Sequence, residues 1–177
     1  MRYKNKKAQV WIETVLYTLI GLALIGMVLG FALPKINASK DRILVEQAIT
    51  AMSDIDAKIS EVLKTPGNVR HISTTIRKGD LTVNGSSDTI IFSLTNLAVL
   101  YSEPGVSVNM GNVKVVSEKG QKTNSATLTL DYSDKGYNIT VDGSDGLKKF
   151  TASSTPYDIR IESKSGITVS ISEEAGK

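Results

Sequence analysis

The chain has 177 residues, with 21 lysines and arginines against 18 aspartates and glutamates, and it contains no cysteine. A disulfide framework and a cysteine-based metal site are therefore excluded. The formal net charge of +3 does not indicate a nucleic-acid-binding surface, because Arg2, Lys4, Lys6 and Lys7 leave 17 basic residues against 18 acidic ones in the rest of the chain. Such local basicity is typical of a membrane-targeting segment, and no nucleic-acid partner is expected.

An uncharged apolar run follows the basic residues and is long enough to cross a membrane. It comprises the 20 residues Thr14–Leu33, and at roughly 1.5 Å per residue a helix of that length spans about 30 Å, the thickness of a bilayer's hydrocarbon core. A secretory signal peptide has a shorter apolar stretch, and "FALPKINASK" is a poor cleavage site, so we expect the run to be retained. The basic Met1–Lys7 end should stay cytoplasmic, which places the C-terminal body outside the cell.

Three glycines lie in the apolar run. Gly26 and Gly30 form a small-xxx-small pair that allows helices to approach closely in a membrane, and Gly21 adds a further small side chain. The alternative is that glycine is simply common in membrane helices. We interpret the three together as helix-packing positions.

Glu13 lies near the charged end of the same run. A carboxylate costs roughly 2.5–3.5 kcal/mol at a bilayer centre on insertion scales, and less near the interface. Glu13 is close enough to the boundary for its carboxylate to reach water, so a tolerated interfacial acid is one interpretation. The residues before it provide a second.

Those residues are "KKAQVWIE", Lys6–Glu13: a basic pair, a small residue, and an acid five positions after Ala8. The segment resembles the class III signal peptide of archaeal type IV pilins, although Trp11 stands where that family has a small or hydroxyl residue. The resemblance implies that a prepilin peptidase cuts between Ala8 and Gln9, before the apolar helix. Gln9 then becomes the first mature residue and Glu13 the fifth.

The resemblance also implies a helical homopolymer, built by an assembly ATPase and a membrane platform, with no catalytic residue and no cofactor. In such a filament the ammonium that cleavage creates on Gln9 can pair with Glu13 of a neighbouring subunit. A buried charge is costly alone, and pairing offsets its desolvation. We therefore expect Gln9 and Glu13 to set the axial register between subunits.

A second helical pattern follows Pro34, which either kinks one long helix or separates two. Its apolar residues recur at three- and four-residue steps and predict one buried face: Leu44, Ala48, Met52, Ile55, Ile59 and Val62–Leu63. Ile43 and Ile49 lie off this face and are either unexplained or in contact with neighbouring subunits. "TPGN" at residues 65–68 predicts the end of the helix.

From Val69 onward the period changes to two, with turn signals such as "NGSS", "EKG" and "SKSG" between short runs. The predicted strands are Val69–Arg77, Asp80–Asn84, Asp88–Thr95, Asn112–Glu118, Ser125–Tyr132, Tyr137–Asp142, Lys149–Ala152, Tyr157–Glu162 and Ile167–Ser172. Many short strands with regular turns predict an antiparallel β-sandwich. The predicted fold class is α+β: a long N-terminal hydrophobic and amphipathic α-helix followed by an antiparallel β-sandwich head.

The predicted organisation has four parts. Residues 1–8 form a cleaved leader, 9–34 a transmembrane and filament-core helix, 35–64 an amphipathic helix that continues into the head, and 65–177 the β-sandwich head.

Several polar motifs do not make a catalytic or metal site. His71 is the only histidine, so no triad can be assembled around it. "DGSDG", residues 142–146, lacks the spacing and the terminal glutamate of an EF-hand and is interpreted as a hairpin turn. Sequons at Asn37, Asn84 and Asn138 are candidate N-glycosylation sites, with Asn37 the least favoured because it lies close to the membrane.

The sequence thus favours a pilin-type structural subunit for adhesion or surface attachment, membrane-inserted as a precursor and then part of an extracellular filament. Within the class, an archaeal flagellin (archaellin) shares the leader type and a β-rich head. An uncut single-pass membrane protein that displays a β-sandwich for binding is the alternative from another class. A cell-surface enzyme is the least favoured alternative.

Overall fold

The computed structural model describes the backbone of residues 6–173 and the side chains of residues 10–173. Most of the predicted leader, and the side chains of Ala8 and Gln9, lie outside the described residues. The chain divides into two units, Met1–Ser39 and Lys40–Lys177. Within residues 6–173, the first unit holds helix only, and the second holds helix and sheets.

One α-helix, α1 (Lys6–Leu63), contains both helical patterns, and Pro34 lies inside it. Of the two alternatives for Pro34, a single helix is therefore the one observed. A proline deprives the helix of one backbone hydrogen bond, and the residues around it compensate readily when the helix lies in a membrane. The helix ends before Pro66 and Gly67, where the sequence predicts its end.

The C-terminal part of α1 buries one apolar stripe in the second unit. Its buried apolar residues follow steps of three and four: Val45, Ala48, Met52, Ile55, Ile59 and Val62. The predicted face is correct apart from its first and last members, since Leu44 and Leu63 are only half-buried while Val45 is 1% exposed. Of the two off-stripe isoleucines, Ile49 packs against the same core, whereas Ile43 is 51% exposed.

Ten β-strands lie within residues 6–173. They are β1 (Val69–Thr74), β2 (Asp80–Asn84), β3 (Thr89–Leu97), β4 (Ser107–Met110), β5 (Val113–Glu118), β6 (Asn124–Asp131), β7 (Asn138–Val141), β8 (Leu147–Thr151), β9 (Tyr157–Ser163) and β10 (Thr168–Glu173). Nine of them match the predicted strands to within a few residues. β4 was not predicted.

The strands form two sheets that share one hydrophobic core with α1. The four-stranded sheet has the order β1-β9-β10-β7, and the six-stranded sheet has the order β4-β5-β6-β3-β2-β8. All pairs are antiparallel except β10 with β7, which are parallel. A parallel pair needs a long connection, and here β8 in the other sheet and β9 separate the two strands along the chain. The predicted α+β fold is confirmed, and the β7–β10 pair departs from the predicted antiparallel pairing.

The β1–β2 connection depends on Gly79. Its φ of +89° is in the region that favours glycine, and a Cβ at this position would clash with the Ser93 carbonyl oxygen of β3. Glycine therefore allows β2 to begin directly beside β3.

Candidate functional site

The N-terminal part of α1 presents a largely apolar surface. Every large apolar side chain from Val10 to Leu33 is at least 40% exposed, and Phe31 reaches 77%. The best 18-residue window has a mean hydropathy of 2.3, and none of it is buried. Soluble proteins rarely expose so large an apolar surface unless a membrane or a partner covers it. By length and composition this one helix can cross a membrane.

Polar side chains within this surface are few, and two of them are satisfied inside the helix. The Thr14 hydroxyl donates to the Val10 carbonyl oxygen at 2.9 Å, and the Thr18 hydroxyl donates to the Thr14 carbonyl oxygen at 2.8 Å. A hydroxyl bonded in this way needs no water, so both threonines are compatible with an apolar environment. Glu13 is exposed in the same segment, one helical turn after Gln9.

The three glycines of the run leave open space on the helix. A Cβ built on Gly21, Gly26 or Gly30 would meet no heavy atom within 4 Å among the described residues. Nothing within the described chain therefore requires glycine at these positions. Glycine at Gly26 and Gly30, which are both exposed and one turn apart, allows close approach of a second helix.

Asp41 anchors α1 to the sandwich at the start of the buried stripe. It is 8% exposed, and its Oδ2 accepts a hydrogen bond from the Ala98 backbone N–H. Its Oδ1 lies 3.3 Å from Nζ of Lys78, which also donates to the Asn96 carbonyl oxygen at 2.8 Å. Sequence reasoning missed this residue. The only available signal was its spacing, four residues before Val45 on the face that the structure buries.

Asp56 makes a second polar anchor near the middle of the buried part of α1. Its Oδ1 accepts from the Tyr132 hydroxyl at 2.8 Å, and its Oδ2 accepts from Nδ2 of Asn112 at 2.8 Å. Burial raises the pKa of Tyr132 above its usual value of 10.0, and the hydrogen bond to Asp56 raises it further. These bonds tie the helix to the six-stranded sheet, because Asn112 immediately precedes β5 and Tyr132 immediately follows β6.

Replacing Tyr132 with phenylalanine should destabilise the head by about 1.5–3 kcal/mol, because a hydrogen bond to a charged acceptor is lost. The effect also depends on pH. Since the folded pKa is raised, tyrosine ionises first in the unfolded chain, and the unaltered protein loses stability as the pH rises above 10. Tyr132→Phe should lose less over that range. Denaturant unfolding at pH 7 and above pH 10 measures both effects.

Tyr137→Phe is the matched control for this prediction. Tyr137 is half-buried and packs against the core, and no hydrogen bond of its hydroxyl occurs among the described residues. Equal stability losses in the two variants would contradict the role given to the Tyr132–Asp56 bond.

Glu61 links the end of α1 to the edge strand β1. Its Oε2 lies 2.9 Å from Nε of Arg70, and its Oε1 lies 3.1 Å from Nζ of Lys58. The Arg70 and Lys58 hydrogen bonds hold the pKa of Glu61 below its usual value. Water screens these exposed charges, so the cluster fixes orientation more than it adds stability.

The candidate glycosylation sites differ in their surroundings. Asn37 is exposed on α1, and Asn138 is exposed at the first residue of β7. Asn84 is half-buried, and its Oδ1 caps a short 3-10 turn by accepting from the Ser86 N–H at 3.1 Å.

"DGSDG" connects β7 to β8, which lie in different sheets. The segment forms the predicted hairpin turn, closed by an antiparallel bridge between Val141 and Ser144 with backbone hydrogen bonds of 2.8 and 3.0 Å. Beyond Ser144 the chain crosses to the other sheet, so β7 and β8 do not pair with each other. Asp142 and Gly143 supply the positive φ values of 51° and 82° that reverse the chain. His71 is exposed on β1. Within residues 10–173, no group of three histidines or acids could hold a metal ion.

The chain matches no protein-family model and has no significant similarity to a curated protein or a solved structure.

Proposed function

We propose that this chain is a structural subunit, a pilin, of an archaeal type IV pilus-like filament for adhesion or surface attachment. The observation that carries the proposal is the exposed apolar surface of α1 from Val10 to Leu33, with Glu13 as the one acid near its basic end. The same helix continues into a β-sandwich that anchors it through Asp41 and Asp56. A subunit that polymerises through one helix needs both features.

Processing begins with removal of residues 1–8. In this proposal a prepilin peptidase hydrolyses the Ala8–Gln9 peptide bond, which leaves an ammonium on Gln9 four residues before the Glu13 carboxylate. Within the filament, Glu13 of one subunit pairs with the Gln9 ammonium of its neighbour. The pair selects one axial register, because any other register leaves two charges buried without partners.

Polymerisation then exchanges lipid for protein around each helix. The apolar side chains are already out of water when they lie in lipid, so the hydrophobic effect does not favour the filament over the membrane. Close packing and charge pairing between helices favour it. Gly26 and Gly30 are the positions where helices can approach most closely. Extraction from the membrane requires work, which an assembly ATPase on a membrane platform supplies. The heads form the outer wall, where glycans on Asn84, Asn138 or Asn37 would shield exposed strand edges.

A second candidate is an uncut single-pass membrane protein that displays its β-sandwich for binding. The exposed, membrane-length helix is compatible with this candidate too, and the Lys6–Glu13 sequence, with Glu13 four residues after Gln9, is what favours the processed subunit. An archaellin is a third candidate and shares the processed leader. The N-terminal residue of the mature protein separates the processed subunits from the uncut anchor. Electron micrographs of sheared surface filaments, together with cell motility, separate pilin from archaellin.

A further inference from the structure

A groove separates α1 from the edge strand β1 in the second unit. It has a volume of about 350 Å³. Its helical wall includes Ile43, Ala51 and Asp54, and its other wall includes Ile72 and Ser73. β1 pairs with β9 alone among the described strands, so one of its edges faces this groove without a strand partner.

The groove combines an apolar lining with acidic charge. Ile43 is 51% exposed although it lies next to the buried stripe of α1. The charged residues that line the groove are Glu46 and Asp54, both acidic. Glu46 pairs with Arg42 at 3.3 Å, whereas no ion pair of Asp54 occurs among the described side chains. An apolar segment that carries a basic residue would complement this surface.

We infer that the groove receives the Leu29–Lys40 segment of α1 from a second copy of this chain. Leu29, Leu33 and Ile36 follow one another at steps of four and three, so they share one helical face. They are 50%, 53% and 46% exposed. Lys40 follows Ile36 by four residues, which extends the same face with a cation for Asp54.

Charge selects this segment over the rest of the apolar helix. Residues 14–33 contain no charge, so this part of the helix has no cation that could pair with the acidic side chains of the groove. An amphipathic helix that lies in an apolar groove is a common mode of recognition. The groove and the segment are different surfaces of the same chain, and contacts of this heterologous kind build open filaments when the rotation between copies does not close a ring. The inference rests on the proposed filament function.

Cysteine cross-linking tests the contact directly, because the chain has no cysteine of its own. Filaments of an Ile36→Cys/Ser73→Cys variant should give a ladder of disulfide-linked multimers after mild oxidation. Each single variant should give none beyond dimers. The matched control is Ile36→Cys/Ser60→Cys, since Ser60 is exposed on α1 outside the groove lining and should give no ladder.

A charge exchange tests the recognition without relying on cross-linking. Asp54→Lys should lower filament yield about two- to fivefold, the range typical of an exposed ion pair. Lys40→Glu should do the same, and the combination of both should restore the yield. Asp54 is exposed, so circular dichroism should show an unaltered head in every variant.

The outcomes separate this inference from the proposed function. Filaments that form normally but give no ladder, or a charge exchange that restores nothing, overturn the groove contact and leave the function standing. A cross-link from Ser73→Cys to a different protein also overturns it. If the unaltered chain forms no filaments in cells, the proposed function fails and the contact fails with it.

Discussion

Glu13→Gln should leave leader removal intact and largely abolish filaments. Glutamine is nearly the same size as glutamate and lacks its charge, so packing is retained while the partner ammonium of Gln9 stays buried without a counter-charge. Breaking a buried ion pair in this way costs about 3–5 kcal/mol per contact, and a filament repeats the contact at every subunit. The measurement is filament yield after shearing, alongside the ratio of cleaved to uncleaved subunit in membranes.

Glu118→Gln is the control for that experiment, because Glu118 is an exposed acid at the end of β5 and far along the chain from the apolar run. Its yield should match that of the unaltered protein. Filaments of unaltered yield and length in Glu13→Gln would refute the register role, and Glu13 would then be an acid tolerated at the membrane surface.

Met52→Ala should destabilise the head by about 2–5 kcal/mol, the usual cost of truncating a fully buried large side chain. Met52 is 0% exposed and lies in the middle of the buried stripe of α1, which packs into the core that the helix shares with both sheets. A loss of that size should lower the melting temperature by roughly 2–4 °C per kcal/mol in a domain of this size. Thermal unfolding of the full chain in detergent, followed through the β-sheet signal, measures it.

Ser53→Ala provides the matched control on the adjacent, exposed face of α1. It should change stability by less than about 0.5 kcal/mol. A melting temperature of Met52→Ala equal to that of Ser53→Ala would mean that the C-terminal part of α1 does not belong to the core of the head.

The sequence predicts the fold where local pattern and burial agree. The stripe from Ala48 to Val62 recurs at helical spacing, and the core strands alternate cleanly, as β2 does with Leu81 and Val83 inward. Turn signals then bound these strands. Each of these features lies within one short continuous stretch of the chain, so a single sequence reveals it.

Features that depend on distant residues were missed. Asp41 is buried because its partners, Lys78 and Ala98, lie 37 and 57 residues away, and a carboxylate at a stripe position otherwise predicts an exposed residue. β4 has four mostly exposed residues, and its alternation is limited to Val108 and Met110, too short to predict a strand, so only its pairing with β5 defines it. The parallel β7–β10 pair likewise depends on the order of strands in the sheet, which local pattern does not encode.

A single sequence reveals the apolar run, its glycines and Glu13, because 20 consecutive residues without charge and the acid beside them can be read directly. Their proposed roles are contacts with other copies of the chain, so the sequence of one chain identifies the residues and not the contacts. The groove beside β1 was not foreseen, since Ile43 and Ile72 lie far apart in sequence and only the fold places them on opposite walls. Ile43 had one local signal, its position off the buried stripe.

The N-terminal residue of the mature protein, purified from cells and sequenced, tests the central claim most directly. The account predicts that the mature chain begins at Gln9, with the first eight residues absent. Mature protein that begins at Met1 and retains Lys6 and Lys7 would contradict it, and the chain would then be a single-pass protein anchored in the membrane.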